Sequence, residues 1–249
     1  MAISDSIVSY WKADSNGTFP DAHGSNDGTI TGATYTASGK INGAYDYDNS
    51  SDYVTIGSLA HVSTGISYSF WINLDATTDE MIMWKGSTTV NEYVYVTGGY
   101  IWYAFGAASG SNNTFKSTTT SLSTGTWYHI VIAGSGNGTA GNYKIYVNGT
   151  EQTINFTTAG ANRAFPAGSG TLYWGGNVAG SGSWVDGRID EIGYWTKVLT
   201  QTEVTALYNS GNGLAYPFSS GWGNTINGVE SPAKVNNIEV ADIDNVTGV

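Results

Sequence analysis

The sequence predicts an all-β protein, an antiparallel sandwich of short strands with one short helix near residues 200–209. Along many short segments, apolar and polar residues alternate with a period of two, as they do in half-buried strands. Glycine, serine, asparagine and aspartate separate these segments, and the chain holds 34 glycines. Charged residues make up only 12% of the 249 residues, about half the ~25% of an ordinary globular protein.

The candidate strands are evenly spaced, and no helical segment separates them. In chain order they are residues 7–11, 29–35, 44–47, 53–56, 68–74, 81–85, 92–97, 100–106, 114–118, 126–133, 142–148, 152–156, 171–175 and 187–195. This spacing is typical of an antiparallel sandwich. The Asn148-Gly149 pair predicts a tight hairpin, because both central positions of a type I′ turn need a positive φ. We expect a final strand at 214–218 to return beside the N-terminal one.

The helix is predicted from its capping residues. Thr200 and Glu203 form a capping box, in which each side chain bonds the backbone N–H of the other. Val204 and Leu207 begin an apolar stripe at helical spacing. Gly211 is the expected stop signal.

The chain divides into a sandwich at 1–218 and a repeat-containing tail at 219–249. Three loosely similar segments recur in the tail, at 225–229, 234–238 and 245–249. Its 31 residues are too few to bury a core of their own. We therefore expect the tail to be flexible or to add strands to the edge of a partner's sheet.

Composition excludes several classes of function. The 9 Lys and Arg residues against 20 Asp and Glu give a net charge of −11, which argues against nucleic-acid binding. The absence of cysteine excludes disulfides, thiolate nucleophiles and cysteine-based metal sites. No apolar run approaches the ~18 residues of a membrane-spanning helix. The N-terminus has neither the basic nor the apolar region of a secretory signal.

Catalytic motifs are weak. Residues 136–141 match G-x-G-x-x-G, but candidate strands flank them, so we interpret them as a flexible hairpin loop. The three histidines are scattered and are interpreted as structural. Glycoside hydrolysis needs two carboxylates across the scissile bond, and Asp190 and Glu191 are adjacent, so a regular strand would point them to opposite faces. We predict that the protein is not an enzyme.

An acidic loop near the N-terminus is a candidate metal site. Asp21, Asn26 and Asp27 lie in a segment punctuated by glycine, and Ca²⁺ takes six to eight hard oxygen ligands. The alternative is an Asx-turn loop with solvated carboxylates. The residues themselves leave both interpretations open.

Aromatic residues have two possible uses. Most must lie in the core, because burying a large ring contributes ~1.5–3 kcal/mol. A few exposed rings would form platforms on which the apolar C–H faces of sugars stack. Trp184, in a glycine-rich segment, is the first candidate, and Trp102 and Tyr103 come next.

An ordered set of motifs resembles a known family over residues 5–216. These motifs are SYWK at 9–12, D…NDG at 21–28, SGKINGA at 38–44, DYV at 52–54, SFWI at 69–72, GTWYH at 125–129, KIYVNG at 144–149, DGRIDEI at 186–192 and L…E…ALY at 199–208. Together they resemble the concanavalin A-like lectin/glucanase superfamily, and within it the laminin-G-like domains of bacteria and phages. The resemblance implies a two-sheet antiparallel jelly-roll β-sandwich and a structural Ca²⁺. It also adds Asp190 to the predicted calcium ligands Asp21, Asn26 and Asp27.

Function follows as an expectation from this resemblance. The catalytic acidic triplet of the glucanase branch is missing, so we expect a non-catalytic, lectin-like module that binds a glycan. The tail resembles C-terminal repeats of tailed-phage structural proteins, which predicts a decoration, fibre or tail component of a virion that contacts other virion proteins and can oligomerise. The expected location is the virion, after synthesis in the host cytoplasm; an extracellular or cell-surface location is the alternative. A purely structural capsid or fibre subunit and a glycan-cleaving enzyme with a divergent site are the rival hypotheses.

Overall fold

The computed structural model describes residues 2–60, 65–87, 90–107, 113–135, 142–158, 169–176, 183–218, 234–235 and 238–239. In chain order the elements are β1 (Ile7–Trp11), β2 (Thr29–Thr31), β3 (Thr34–Ile41), β4 (Gly43–Asp48), β5 (Tyr53–Ala60), β6 (Ile66–Leu74), β7 (Glu80–Gly86), β8 (Val90–Thr97), β9 (Tyr100–Ala107), β10 (Asn113–Ser117), β11 (Trp127–Gly134), β12 (Tyr143–Val147), β13 (Thr150–Glu151), β14 (Ile154–Thr158), β15 (Ser169–Trp174), β16 (Asp186–Trp195), α1 (Gln201–Tyr208), β17 (Lys234–Val235) and β18 (Ile238–Glu239).

Two antiparallel sheets of eight strands each build the sandwich. The first sheet has the order β13-β12-β11-β6-β16-β4-β3, with β1 also paired to β16. The second sheet has the order β14-β10-β9-β8-β7-β15-β5-β2. These sheets confirm the predicted all-β, two-sheet jelly-roll sandwich.

The core lies between the inner faces of the two sheets. It is rich in aromatic and β-branched side chains, such as Tyr68 and Phe70 from β6 and Val94 and Trp174 from the second sheet, all fully buried. Each of these large side chains contributes about 1.5–3 kcal/mol through burial. The surplus of aromatic residues therefore serves packing first, as the sequence predicts.

The two sheets differ in how their outer faces are covered. All nine residues of β6 in the first sheet are buried, because a second apolar cluster covers the outer side of this sheet. This cluster joins Tyr10 and Trp195 to Leu199, Val204 and Leu207, so α1 and the segment before it form the cover. Along β8 of the second sheet, by contrast, buried and partly exposed residues alternate. The outer face of the second sheet therefore retains partly exposed side chains.

One predicted strand is in fact two. Residues 29–35 divide at Gly32, so that β2 joins the second sheet and β3 the first. Gly32 has a φ of +77°, and a Cβ atom there would lie 1.8 Å from Asp52 Oδ1. Only glycine fits at this crossing between the sheets. The sequence pattern predicts one strand here because alternation does not show which of the two sheets each half joins.

The helix confirms its predicted start. Thr200 Oγ1 accepts from Glu203 N, and Thr200 N donates to Glu203 Oε2 at 2.8 Å, which completes the capping box. The helix ends at Tyr208 because Asn209 adopts the left-handed conformation with a φ of 48°, ahead of the predicted stop at Gly211. Within the described part of the chain, no helix has the length and apolarity that a membrane crossing requires.

The prediction of a strand at 214–218 is wrong. This segment has no strand structure, and Pro217 lacks the N–H that a sheet ladder would use. Instead its rings pack on the covered side of the first sheet. Tyr216 stacks on Tyr10 with centroids 5.0 Å apart, and Phe218 stacks on Trp195 at 6.2 Å.

Four residues of the predicted tail are described. They form the two-residue strands β17 and β18, which pair antiparallel with Lys234 opposite Glu239. The rest of 219–249, the loop at 136–141 and His61 lie outside the described residues. The division into 1–218 and 219–249 therefore stays a prediction.

Candidate functional site

Seven aromatic side chains form a row across the outer face of the second sheet. We call this row the aromatic ribbon, and its members are Trp184, Tyr53, Tyr173, Trp84, Tyr93, Tyr95 and Trp102. All seven are partly exposed. The period-two alternation of a strand produces the row, because it sends neighbouring residues such as Val94 and Leu172 into the core.

Strand register places rings from different strands side by side. Tyr173 of β15 lies opposite Trp84 of β7, and Trp84 lies opposite Tyr93 of β8. Tyr95 of β8 lies opposite Trp102 of β9. Because directly opposite residues share one face of a sheet, the ribbon crosses the strands, with one step along β8 from Tyr93 to Tyr95.

Trp184 begins the ribbon at one end. It forms an isolated bridge with Gly176, shortly after β15. The Trp184 ring stacks on Tyr53 with centroids 6.0 Å apart. Tyr53 contacts Tyr173 at 6.0 Å, and Tyr173 contacts Trp84 at 5.4 Å. Four rings thus follow one another at nearly constant spacing.

Trp102 ends the ribbon on the opposite side. The Tyr93 and Tyr95 centroids are 5.7 Å apart, and Tyr95 stacks on Trp102 at 5.5 Å. Beyond Trp102, the ammonium group of Lys116 lies 5.2 Å from the Trp102 ring and 4.5 Å from the Tyr100 ring. This geometry is that of a cation–π contact.

The strands of the second sheet carry few charged residues. The eight strands of the second sheet contain four charged residues, of which Glu80, Lys85 and Glu92 are buried. Lys116 is the one that is partly exposed. The strands that carry the ribbon therefore add only one partly exposed charge to this face, on a protein with a net charge of −11.

The prediction that Tyr103 is an exposed ligand-binding ring is wrong. Tyr103 is fully buried, because the alternation along β9 points Trp102 outward and its neighbour inward. The Tyr103 hydroxyl donates to Glu92 Oε1 at 2.8 Å, and the Tyr68 hydroxyl donates to Glu92 Oε2 at 3.1 Å. Lys85 lies 4.0 Å from the same carboxylate. Tyr103 thus belongs to a buried polar cluster of the core, while Trp184 and Trp102 both belong to the ribbon.

The loop at 21–28 contains three of the predicted calcium ligands. The carboxylate of Asp21, however, accepts hydrogen bonds from backbone amides of this loop and of β1. Asp21 Oδ1 accepts from the amides of Tyr10, His23 and Gly24 at 2.8–3.0 Å, and Oδ2 accepts from Asn26 N at 3.0 Å. Burial by itself raises the pKa of Asp21, but the hydrogen bonds from Gly24, Tyr10 and Asn26 outweigh it and lower the pKa below its usual value. This carboxylate therefore acts as the centre of a turn.

The other two members of this loop also make internal bonds. Asp27 is exposed, and its Oδ1 accepts from Asp21 N at 2.8 Å. Asn26 Nδ2 donates to Ser9 Oγ at 2.8 Å, and Asn26 O accepts from the Trp11 indole N–H at 2.7 Å. These bonds match the Asx-turn interpretation of the loop.

Asp190 serves a different turn. It lies fully buried on β16, where its Oδ2 accepts from the amides of Lys40 and Ile41 at 2.7 and 3.0 Å, and its Oδ1 from Glu191 N at 2.7 Å. No group of three His, Asp or Glu side chains among the described residues is arranged to hold a metal ion. With the oxygens of Asp21 and Asp190 directed at amides, the predicted set does not fit a calcium ion in this arrangement.

One histidine contacts a serine in the manner of a catalytic pair. His129 Nε2 lies 2.8 Å from Ser69 Oγ. Both residues are buried, at 1% and 2% exposure, and His129 Nδ1 has no hydrogen-bond partner among the described residues. A catalytic triad needs an acid on that nitrogen and a nucleophile that substrate can reach, so we interpret His129 as structural.

Solved structures share this fold at low sequence identity. Domain 4 of AbnA, an extracellular arabinanase of Geobacillus stearothermophilus solved with arabinotriose, matches with a TM-score of 0.61 and 20% identity, over 80% of this chain and 97% of that one. The binding domain of Paraclostridial Mosquitocidal Protein 1 matches with a TM-score of 0.63 and 15% identity, over 84% of this chain and 53% of that one. The receptor-binding domain of botulinum neurotoxin D matches with a TM-score of 0.63 and 13% identity, over 84% and 54%.

The chain spans about half the length of the two toxin domains. Among curated proteins, no relative matches it. A family profile does match: Laminin_G_3, described as concanavalin A-like lectin/glucanases superfamily, covers residues 48–205. This range holds seven of the eight strands of the second sheet and five of the eight strands of the first. The chain belongs to the concanavalin A-like lectin/glucanase superfamily.

Proposed function

We propose that this protein is a non-catalytic, lectin-like module that binds glycans on the aromatic ribbon. The observation that carries the proposal is the row of seven partly exposed rings from Trp184 to Trp102, in which two groups of contacting rings meet where Trp84 lies opposite Tyr93. Contiguous exposed apolar surface is uncommon on soluble proteins and marks binding sites. Sugar rings present apolar C–H faces that stack on such rings, while their hydroxyls stay in water.

Two of the structural neighbours support a binding role. The arabinanase domain was solved with arabinotriose, and the neurotoxin domain is named for receptor binding. One fold hosts many functions. The proposal therefore depends on the ribbon, and these neighbours show only that the fold is used for binding elsewhere.

The arrangement of acids supports the absence of catalysis. Glycosidases place two carboxyl groups across the scissile bond, on opposite sides of the sugar. Beneath the ribbon the strand carboxylates are Glu80 and Glu92, at 2% and 0% exposure. Glu92 accepts from two tyrosine hydroxyls inside the core, where no sugar on the outer face reaches it.

The experiment is a glycan array with the full chain, followed by incubation of each bound glycan with the protein. We expect binding to a subset of glycans and no new reducing ends or unsaturated products. The variant Tyr95→Ala should lose the array signal, and Tyr128→Ala, which removes a half-buried ring from the first sheet, should keep it. A silent array contradicts glycan binding and favours a purely structural subunit; product formation favours a glycan-cleaving enzyme.

A virion role is the finer part of the proposal. It depends on the resemblance of the tail to phage structural proteins. The test is incorporation of the full chain, and of a chain lacking residues 219–249, into particles grown from a producing host. We expect only the full chain to co-sediment with particles; equal incorporation of both chains would contradict an anchoring tail, and incorporation of neither would contradict the virion location.

A further inference from the structure

Resting on the proposed function, we infer that the ribbon binds the interior of an extended, uncharged polysaccharide, laid across the strands, and that it does not select a chain end. The inference depends on three features of the ribbon: its length, the repetition of its contacts and the scarcity of charge on its strands.

The length of the ribbon follows from strand spacing. Its rings come from five adjacent strands in the order β5, β15, β7, β8 and β9. Four steps of about 4.8 Å between neighbouring strands make about 19 Å, which about four linked pyranose rings would cover. Trp184 adds a further ring, which stacks on Tyr53 of β5. A single terminal sugar would leave most of this surface unused.

The contacts repeat from step to step. Ring centroids lie 5.4–6.0 Å apart from Trp184 to Trp84 and 5.5–5.7 Å apart from Tyr93 to Trp102. Between these two groups, Trp84 lies directly opposite Tyr93 in the sheet. Every ring in the row is a tyrosine or a tryptophan. A repeating row suits a repeating polymer, since each added sugar meets a contact like the previous one. Recognition of a chain end depends instead on polar groups fixed around one position.

Charge favours a neutral polymer. A polyuronate carries one carboxylate on each sugar, so it would need several cations along the ribbon. Among partly exposed residues, the described strands of the second sheet offer one cation, Lys116, at the Trp102 end and already placed over two rings. The net charge of −11 on the whole chain repels a polyanion in addition.

The test is calorimetric titration of the full chain with oligosaccharides of two to eight sugars from neutral β-1,4-glucan, mannan and xylan. Oligogalacturonates are titrated beside their methyl esters at matched length. For the neutral series that binds, we expect affinity to rise about two- to tenfold for each added sugar until about four sugars, and then to level off. Reduction of the chain end with borohydride should leave the affinity of an eight-sugar chain unchanged.

Variants at the two ends of the ribbon test its length. Trp184→Ala and Trp102→Ala should each lower the affinity for the longest chains more than for disaccharides, while Tyr128→Ala should change neither. Circular dichroism and the thermal midpoint check that each variant folds. If Trp184→Ala does not fold, Tyr53→Ala serves at the same end.

The outcomes separate this inference from the proposed function. Full affinity at one or two sugars, loss of binding after reduction of the chain end, or preference for the free uronate over its ester would overturn the inference and leave glycan binding intact. Absence of binding by every oligosaccharide and by the array would overturn both.

Discussion

His129 lies on β11, on the side of the first sheet that α1 covers. Its ring is 5.1 Å from Trp71 and 6.2 Å from Tyr208, and its Nε2 contacts Ser69 Oγ. Burial among these groups lowers the pKa of His129 to about 3. The folded state therefore holds the ring neutral, while the unfolded chain takes up its proton near the ordinary pKa of about 6.5.

This shift predicts the pH dependence of stability. A histidine whose pKa is lowered by folding contributes stability above the unfolded pKa and loses it as the pH falls from about 6.5 towards 3. The loss is at most about 1.4 kcal/mol for each pH unit. Replacing His129 with Gln should remove this part of the slope. The measurement is the free energy of unfolding in urea at pH 7, 5.5 and 4.5.

His23 offers the matched control, because its ring is exposed. His23→Gln should retain the pH slope of the wild-type protein. If His129→Gln also retained that slope, the buried neutral ring would not be the cause.

Adjacent aromatic residues show what single-residue patterns can and cannot predict. Trp102 and Tyr103 are both large and apolar, so alternation along β9 predicts that one faces outward and does not say which. The buried carboxylate of Glu92 decides the choice, because it accepts from the Tyr103 hydroxyl. That contact joins two strands and depends on their register, which the local sequence leaves open.

At the level of elements, α1 shows how a short helix is fixed in place. Its two ends are set by local chemistry, the capping box at Thr200 and the left-handed Asn209. Packing supplies the rest, because Val204 and Leu207 are buried in the cluster that covers the first sheet. An eight-residue helix is too short to be stable alone, so cap and packing are both needed.

Removal of the cap gives a prediction for this element. Thr200→Ala should reduce the free energy of unfolding by about 1 kcal/mol, which lowers the thermal midpoint by about 2–4 °C in a domain of this size. Thr205→Ala is the control within the same helix, since its side chain is exposed and alanine is the better helix former. Calorimetric scans of both variants make the comparison, and equal losses would argue against the capping role.

Elements with a local signal were predictable, and those fixed by distant contacts were not. Alternation and the capping box indicate most of the strands and the helix directly. The division of residues 29–35 between two sheets depends on Gly32 beside Asp52. Residues 214–218 form no strand, and their position depends on Tyr216 and Phe218, which pack on rings from β1 and β16. In both cases the deciding partner lies far away in the sequence.

For the whole molecule, the position of the aromatic ribbon follows from a difference between the two sheets: the outer face of one is covered and that of the other is not. Helix α1 and the segment around it bury the outer face of the first sheet, which leaves rings on the outer face of the second sheet in contact with solvent. The sequence predicts that rings such as Trp184 and Trp102 are exposed. Their union in one ribbon depends on the order of five strands, which alternation does not predict.

Metal dependence is also a property of the whole molecule. Calcium binding by Asp21, Asn26, Asp27 and Asp190 stays a prediction of the sequence, and the amide bonds on Asp21 and Asp190 argue against it. We expect EDTA to leave the thermal midpoint unchanged. An ion bound only by the folded state stabilises it by mass action, so a midpoint that falls in EDTA and recovers with calcium would support the ion and require these turns to rearrange.

Trp84 lies at the middle of the aromatic ribbon, so replacing it examines whether the ribbon is the glycan-binding surface. The measurement is the calorimetric affinity of the wild-type chain, Trp84→Ala and Tyr128→Ala for the glycan bound best on the array. Loss of one stacking ring should weaken binding by about 1–3 kcal/mol, as for other stacked ring ligands, while Tyr128→Ala binds like the wild type. Unchanged affinity in a folded Trp84→Ala variant would contradict glycan binding on the ribbon.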